Sequence, residues 1–255
     1  MPSLSVCKVP NWSFLDEMRF PPPAQIMIDL ETMGLGPTAE IASIGASVFL
    51  LHAEPLTPAE IDEAISRHPV MFDHGLHQTA TDFHVYVQPE FYPNSTSVRR
   101  HDSATVSFWA DQLMGGSPEA VRLLSSSGTR AKRGLTLQAA MASLVSWIGT
   151  VGNLYTIESF WSCPASFDLP LLRSVFMLDC GQSSPWGSTT RCGKTAIKLL
   201  AGMAGTEFHG PAGTKLVRHN ALHDCWLEIH QLQSATSWAR RQLLNCGAKA
   251  AENLS

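Results

Sequence analysis

Apolar side chains recur along the first part of the chain with the spacing of β-strands. Residues 25–30 and 40–51 form two apolar runs, and residues 81–89 alternate polar and apolar side chains. The turn sequence "MGLGPTAE" between the first two runs contains the glycines and the proline that are typical of a hairpin. The pattern predicts three strands in hairpin order, with an insertion at about 52–80 that contains a short helix over 58–67.

Apolar positions recur at three- and four-residue intervals in the later part of the chain, which is the spacing of helices that pack on one side. The one later run with the character of a strand is 153–161. The predicted helices span 103–114, 117–124, 136–151, 166–178, 189–203 and about 221–244. Strands in hairpin order, then a helical block, then strand–helix units predict an α/β fold, in which helices flank a mixed β-sheet.

The composition is that of an ordinary globular protein, and it excludes two classes of protein. The 255 residues are 44% hydrophobic and 16% charged, and the formal net charge is −4. The sequence pI of about 6.2 differs from that of proteins that coat nucleic acid, whose domains usually exceed a pI of about 9. The chain has no run of about 18 apolar residues, so no membrane span is expected.

The six cysteines are scattered, without a CxxC pair or the spacing of a zinc ribbon. We expect them to be reduced, which suits a cytoplasmic protein of a bacterium, or of the host cytoplasm if a phage encodes it. The N-terminal segment is rich in proline and lacks the basic start and long apolar core of a secretory signal. The predicted organisation is an irregular leader over 1–24, one domain over 25–244 and a flexible tail over 245–255.

Two acids, Asp29 and Glu31, stand one residue apart inside the first apolar run, "IMIDLETMGLGP". On a strand both side chains point to the same face of the sheet. Without partners, each carboxylate would carry a desolvation cost of several kcal/mol, so a partner for both is expected. A D-x-E pair taken alone is more often a surface pair than a site, and the interpretation therefore depends on which other residues converge on this strand.

Two later segments carry further candidate residues. In "HNALHD", His219 and Asp224 converge best if His219 precedes the helix and Asn220 caps it, with the acid in the first turn. In "WSCPASFDLP", Asp168 stands at a strand–helix junction. His219 and His223 also form an i, i+4 pair that could bind zinc. No H-E-x-x-H motif accompanies the pair, and we interpret His223 as a packing or surface residue.

The order of these motifs resembles that of the DEDDh family of 3′→5′ exonucleases, which have the ribonuclease H-like fold. The likeness runs from about residue 25 to 235. The segments 99–112, "RRHDSATVSFWADQ", and 159–176, "SFWSCPASFDLPLLRSVF", are similar to the branch with the mycobacterial AS-type exoribonuclease and the T-even phage exonuclease A. The resemblance implies a ribonuclease H-like mixed sheet and hydrolysis of single-stranded RNA or DNA from the 3′ end, with release of nucleoside 5′-monophosphates.

The resemblance also implies roles for individual residues. The implied ligands of two Mg²⁺ or Mn²⁺ ions are Asp29, Glu31, Asp168 and Asp224. Such all-oxygen ligands favour hard cations over zinc. His219 would take the proton of the attacking water, and Glu31 would be a second catalytic residue. The implied substrate-binding residues are Thr32, Met33, Trp109, Gln112 and Ser166. Thr32 and Met33 would form the corner that receives the terminal 3′-hydroxyl and the last base. Members of the family are often homodimers, so a homodimer is a further expectation.

Two other functions stay open at this point. One is a phosphodiesterase that takes only very short oligonucleotides, and the other is a catalytically silent nucleic-acid-binding module. Loss of an acid would favour the silent module, and none is lost. Trp109, Trp161 and Trp186 could stack bases, although tryptophan more often lies in a core. The basic groups at 99–100 and 130–133 could contact a phosphate backbone.

Overall fold

The computed structural model describes residues 21–67, 75–89, 99–125 and 128–252. The strands are β1 (Pro23–Thr32), β2 (Ile41–Phe49), β3 (Leu76–Gln78), β4 (Asp82–Tyr86), β5 (Thr156–Ser162) and β6 (Thr190–Cys192). The helices are α1 (Pro58–Arg67), α2 (Ser103–Met114), α3 (Pro118–Leu124), α4 (Thr129–Arg133), α5 (Leu137–Leu154), α6 (Asp168–Leu178), α7 (Gly193–Ala204) and α8 (Ala221–Glu252). Most of the predicted leader, residues 1–20, lies outside the described residues.

The strands form one mixed sheet in the order β3-β4-β2-β1-β5-β6. β1 pairs antiparallel with β2, which pairs antiparallel with β4, and β3 pairs antiparallel with β4. On the other side of β1, strand β5 runs parallel to it, and β6 runs parallel to β5. The helical block between β4 and β5 supplies the long crossover that a parallel neighbour needs. The predicted class, a mixed sheet flanked by helices, is confirmed.

The two faces of β1 contact different helices, and this decides where its acids point. Ile26, Ile28 and Leu30 lie in a core cluster with residues of α5 and α6. Met27, on the opposite face, lies in a second cluster with Cys225 of α8. Because side chains alternate along a strand, the two acids of β1 share the face of Met27. They therefore point towards α8.

Helix α8 comes close to the sheet because β2 carries a glycine where the helix begins. Gly45 pairs with Asp29 across the β1–β2 ladder. A Cβ atom at Gly45 would lie 2.2 Å from the carbonyl carbon of Ala221, the first residue of α8. A residue with a side chain would push the helix away from the sheet. The glycine thus brings the first turn of α8 beside the acids of β1.

Several elements differ from those predicted from the sequence. Three short elements were not predicted from the periodicity. β3 and β6 have three residues each and α4 has five, which is too few to show a repeating pattern. β3 and β6 form because the edges of β4 and β5 supply their hydrogen-bonding partners. Helix α2 is capped by Asp102, whose carboxylate accepts a hydrogen bond from the Thr105 N–H at 2.7 Å.

The last helix is also longer than predicted. α8 continues to Glu252, beyond the predicted end near residue 244. Alanine, arginine and leucine, which are strong helix formers, are frequent in this segment, "ARRQLLNCGAKAAE". The division of the chain into a leader, one domain with an insertion at 52–80 and a tail stays a prediction.

Two arginines that were candidates for contact with a phosphate backbone stabilise the fold instead. Arg130 is buried, forms an ion pair with Glu40 and donates a hydrogen bond from Nε to the carbonyl of Val87, just after β4. Arg99 is also buried and forms an ion pair with Asp179. It donates a second hydrogen bond, of 3.1 Å, to the carbonyl of Pro37 in the loop after β1. Arg99 therefore holds the loop that follows the D-x-E pair.

Candidate active site

The acids of β1 meet the start of α8 near the C-terminal end of β1. Glu31, His219 and Asp224 each offer one ligand atom, and these three atoms lie within 4.8 Å of one another. Glu31 is buried, and the other two residues are half-buried. The structure thus brings together the D-x-E and H-x4-D segments, which are far apart in the sequence. All four acids and the histidine lie within the described residues.

The turn before α8 sets the positions of His219 and Asp224. His219 has a backbone φ of 60°, in the left-handed region, which costs roughly 1–2 kcal/mol for a residue other than glycine. The Oδ1 atom of Asn220 accepts a hydrogen bond from the His223 N–H at 3.2 Å, so Asn220 caps the helix as predicted. Asp224 follows in the first turn, where the helix dipole favours an anion. His219 therefore precedes the helix, which also agrees with the prediction.

A buried network on α3 holds this turn in place. The Oε2 atom of Glu119 accepts hydrogen bonds from Asn220 Nδ2 at 3.1 Å and from the Tyr86 hydroxyl at 3.3 Å. Arg122 donates to the same oxygen at 3.1 Å. Glu119 is 0% exposed, and burial raises its pKa while its hydrogen-bond donors oppose the shift. The network fixes Asn220, and through it the start of α8.

Asp168 begins α6 and lies against β1. It is 3% exposed, and burial raises its pKa to about 7. The backbone N–H of Leu30, which lies between the two acids of β1, interacts with the Asp168 carboxylate and opposes this rise. The Oδ2 atom of Asp168 is buried and has no hydrogen-bond partner among the described residues. A buried carboxylate oxygen without a donor is suited to bind a cation.

Burial, and after it the mutual repulsion of the acids, raises the pKa values of the carboxyl groups at the site. Burial and then the charges of Asp168 and Asp224 raise the pKa of Asp29 well above its ordinary value. The pKa of Glu31 is also raised well above its ordinary value, first by burial and second by the charge of Asp29. Burial raises the pKa of Asp224 to about 6, although Arg218 and the N–H of the preceding turn oppose the shift. Divalent cations would remove this repulsion, so the residues present fit a site for hard cations.

The imidazole of His219 is suited to act as a base. Burial, and then the neighbouring charge of Arg218, lower its pKa, so the ring is neutral at pH 7. Its ring packs edge-on against Phe108, with ring centroids 5.1 Å apart. His223 faces elsewhere: its Nδ1 accepts a hydrogen bond from the Val217 N–H at 2.9 Å, and its ring stacks on Trp226. His223 is thus a packing residue, and it is absent from the metal-ligand group found among the described residues.

A cleft of about 330 Å³ opens beside Glu31, between the end of β1 and helix α2. It is lined by Leu30, Glu31, Thr32, Leu35, Ala104, Thr105, Phe108, Trp109 and Phe167. Phe108 is 39% exposed, whereas Trp109 is 1% exposed and donates its indole N–H to the carbonyl of Thr32 at 2.9 Å. Phe108 therefore offers the accessible aromatic face, and Trp109 supports the wall behind it.

The other predicted substrate residues lie in different surroundings. The side chain of Met33 is 1% exposed and packs in a core cluster with Trp109, so it does not line the cleft. Leu35, which is 71% exposed, lines the cleft in its place. Gln112 lines a separate depression of about 490 Å³ that also contains Arg218. Ser166 is exposed on the turn before α6.

The remaining tryptophan candidates are interior residues. Trp161 and Trp186 are 8% and 2% exposed and belong to two core clusters. Three further residues at the site were not predicted: Phe108, Glu119 and Glu228. Glu228 follows Asp224 by four positions in "DCWLE", a helical spacing that could have indicated it. The sequence around Phe108 and Glu119 carries no comparable signal, because both act through contacts with distant segments.

A search of family models identifies the class of protein. Residues 24–236 match the model of the 3′-5′ exoribonuclease Rv2179c-like domain. The chain belongs to this family. The predicted 3′→5′ exonuclease is thereby confirmed. Membership implies a nucleic-acid substrate and dependence on a divalent metal.

Further comparisons concern the fold alone. No curated protein matches the chain. Cell-death related nuclease 4 (CRN-4) is 14% identical with a TM-score of 0.46, and the match covers 86% of this chain and 65% of that one. The RNase domain of the yeast Pop2 protein is 9% identical with a TM-score of 0.45, covering 83% of this chain and 76% of that one. The chain thus spans less than two thirds of the length of CRN-4. None of the described helices has the length and apolar character that a membrane crossing requires.

Proposed function

We propose that this exonuclease degrades single-stranded RNA from its 3′ end, with two divalent cations, and releases nucleoside 5′-monophosphates. The observation that carries the proposal is the approach of Glu31, His219 and Asp224 to within 4.8 Å at the edge of the cleft. This arrangement puts metal ligands and a neutral imidazole next to a space the size of a nucleotide. The family description favours RNA over DNA.

The proposed chemistry assigns each residue a separate task. Asp29, Glu31, Asp168 and Asp224 would hold Mg²⁺ or Mn²⁺. Bound there, the cations supply acidity to a water molecule and positive charge beside the scissile phosphate. A ring nitrogen of His219 would take the proton of the attacking water as its oxygen bonds to phosphorus. The bond from phosphorus to the 3′-oxygen of the preceding nucleotide would break, that oxygen would gain a proton from solvent, and the terminal nucleotide would leave as a 5′-monophosphate.

Residues of the cleft would recognise the 3′ end of the nucleic-acid strand. The terminal base would lie against the exposed face of Phe108, and base–aromatic stacking is sequence-tolerant. The 3′-hydroxyl would lie at the corner of Glu31 and Thr32. Arg218 is exposed beside the catalytic histidine and would contact the phosphate backbone. The cytoplasmic location and the homodimer stay predictions.

The test is digestion of matched 5′-labelled RNA and DNA single strands with Mg²⁺ or Mn²⁺. Each strand carries either a 3′-hydroxyl or a 3′-phosphate, and a closed circle of the same sequence is included. A ladder that shortens from the 3′ end of RNA is expected. The 3′-phosphate should block cleavage, because it adds a charge of about −1.5 to −2 where a hydroxyl fits.

The same assay separates the alternatives. Cutting of the circle would mean an endonuclease. Degradation confined to strands of a few nucleotides would mean an oligonucleotide phosphodiesterase. Binding without any cleavage would mean a silent nucleic-acid-binding module, which the presence of all four acids argues against.

A further inference from the structure

The carboxylate of Asp102 connects the two sides of the cleft. Its Oδ2 atom accepts a hydrogen bond of 2.8 Å from the backbone N–H of Leu35, in the loop that follows β1. Its Oδ1 atom accepts one of 2.7 Å from the N–H of Thr105, in the first turn of α2. Leu35 and Thr105 both line the cleft. One side chain therefore holds the loop and the helix between which the cleft opens.

The backbone of Asp102 makes the same connection. Its N–H donates to the carbonyl of Met33 at 2.9 Å, and its carbonyl accepts from the N–H of Val106 at 3.0 Å. A Cβ atom at Gly34 would lie 3.1 Å from Oδ2 of Asp102, so the carboxylate packs closely against the loop. The side chain and the backbone of one residue thus bind both the loop and α2.

The position of Leu35 depends on this contact. The residue before Asp102 holds the far end of the loop: the Arg100 N–H donates to the Thr38 carbonyl at 2.7 Å, and its carbonyl accepts from the Glu40 N–H at 3.0 Å. The side chain of Leu35 is 71% exposed, so packing against the protein holds it little. The hydrogen bond from its N–H to Asp102 therefore fixes Leu35 at the edge of the cleft.

We propose that Asp102 is a positioning residue for the substrate, whose carboxylate fixes Leu35 relative to Phe108 and so sets the width of the cleft for the terminal nucleotide. This inference rests on the proposed function, in which the terminal base lies against Phe108. Asp102 is not among the residues that line the cleft, and its hydrogen bonds within the described residues do not involve His219 or the acids. Its effect is therefore on substrate binding and not on the attack at phosphorus.

The test compares the full chain with its Asp102→Asn variant. Asparagine keeps the shape but has one acceptor oxygen, so it can hold the helix or the loop and not both. Steady-state kinetics on a 5′-labelled single-stranded RNA with Mn²⁺ should show KM raised about 2–10-fold, the effect of one lost hydrogen bond, with kcat unchanged. A fall in kcat at unchanged KM would overturn the proposal.

The matched control is Thr136→Ala, which removes the cap of another helix. The hydroxyl of Thr136 accepts from the Ala139 N–H at 3.3 Å at the start of α5, and Thr136 is exposed and does not line the cleft. This variant should have a lower midpoint of urea unfolding and an unchanged KM. The same pattern for Asp102→Asn, with lower stability and unchanged KM, would mean that Asp102 is only a helix cap.

A double-mutant cycle tests whether Asp102 acts through Leu35. Leu35→Ala removes the side chain that Asp102 positions, so the addition of Asp102→Asn to that variant should raise KM by less than about twofold. If the two substitutions raise KM independently, so that their fold-changes multiply, Asp102 does not act through Leu35 and the proposal is wrong.

Binding without cleavage separates this inference from the proposed function. The Kd of the same RNA is measured by fluorescence anisotropy with Mn²⁺ on the Asp168→Asn protein, with and without Asp102→Asn. The second substitution should raise Kd about 2–10-fold. If the wild type does not cleave RNA but this rise is found, only the proposed function is wrong. An unchanged Kd would overturn the inference about Asp102 even if the wild type cleaves, and a chain that does not bind RNA would overturn both.

Discussion

Replacing Asp168 by asparagine should stabilise the metal-free protein while abolishing its activity. Burial raises the pKa of this acid from 3.8 to about 7, and the side chain is 3% exposed, so solvent screens it little. A shift of about three units corresponds to about 4 kcal/mol of unfavourable energy when the group is ionised in the folded state. Asparagine removes the charge, and we expect a gain of roughly 2–4 kcal/mol at pH 8 in chelator.

The pH dependence of this gain follows from the direction of the shift. The folded state holds the proton of Asp168 more tightly than the unfolded state does. The contribution of Asp168 to the stability of the wild type therefore falls as pH rises from about 4 to about 7. Above pH 7 this contribution is constant. The advantage of Asp168→Asn should be largest above pH 7, smaller at pH 5 and absent below pH 4.

The assay is urea unfolding of both proteins in chelator at pH 8 and pH 5, followed by repetition with Mn²⁺. With Mn²⁺ the wild type should gain more stability than the variant, because a ligand that binds only the folded state stabilises it. Asp111→Asn, which changes an exposed acid on α2, serves as the control. A variant that is less stable at pH 8 without metal, or an advantage that grows as pH falls, would refute the reasoning.

Three further predictions concern the residues around the acids. His219→Ala should slow the single-turnover rate by on the order of 10²–10⁴-fold with Mn²⁺ affinity retained, and a collapse of that affinity in calorimetry would make the histidine a ligand. Phe108→Ala should raise KM for RNA about 5–100-fold in steady-state kinetics, because a stacking contact with the base is lost. The control is Val106→Ala, at an equally exposed position on α2, which should leave KM unchanged. Glu119→Ala should cost about 1–3 kcal/mol in urea unfolding because Asn220 and Tyr86 lose their buried acceptor, and an unchanged midpoint would contradict that role.

Local sequence patterns were sufficient to predict much of the fold and the placement of several acids. The grouping of the four acids into one site was implied by the resemblance to the DEDDh exonucleases. Two apolar runs and the turn sequence between them predict β1 and β2 as a hairpin, and the alternation of side chains along a strand puts Asp29 and Glu31 on one face. The cap at Asn220 and the position of Asp224 in the first turn of α8 follow from the chemistry of helix starts. These features depend on spacings of two to five residues, and such spacings can be read directly from a sequence.

Local patterns could not show which residue of a segment faces the cleft. Met33 and Leu35 both follow the acids, yet Met33 packs in the core and Leu35 lines the cleft. Phe108 and Trp109 are neighbours, and the indole of Trp109 is turned inward to donate to a carbonyl of β1. The packing of α2 against the end of β1 buries Met33 together with Trp109, and that packing is a contact between distant segments.

Only the tertiary structure decided which charged residues belong to the site. Arg99 and Arg130 look like solvated cations in the sequence, but both are buried and form ion pairs with acids of other segments. Glu119 and Glu228 look like ordinary helix glutamates, but one fixes the start of α8 and the other joins the acid cluster. A buried carboxylate requires a hydrogen-bond donor or a cation as its partner, because it has lost its contact with water. Which carboxylates are buried is decided by the folded chain and cannot be read from the sequence around each residue.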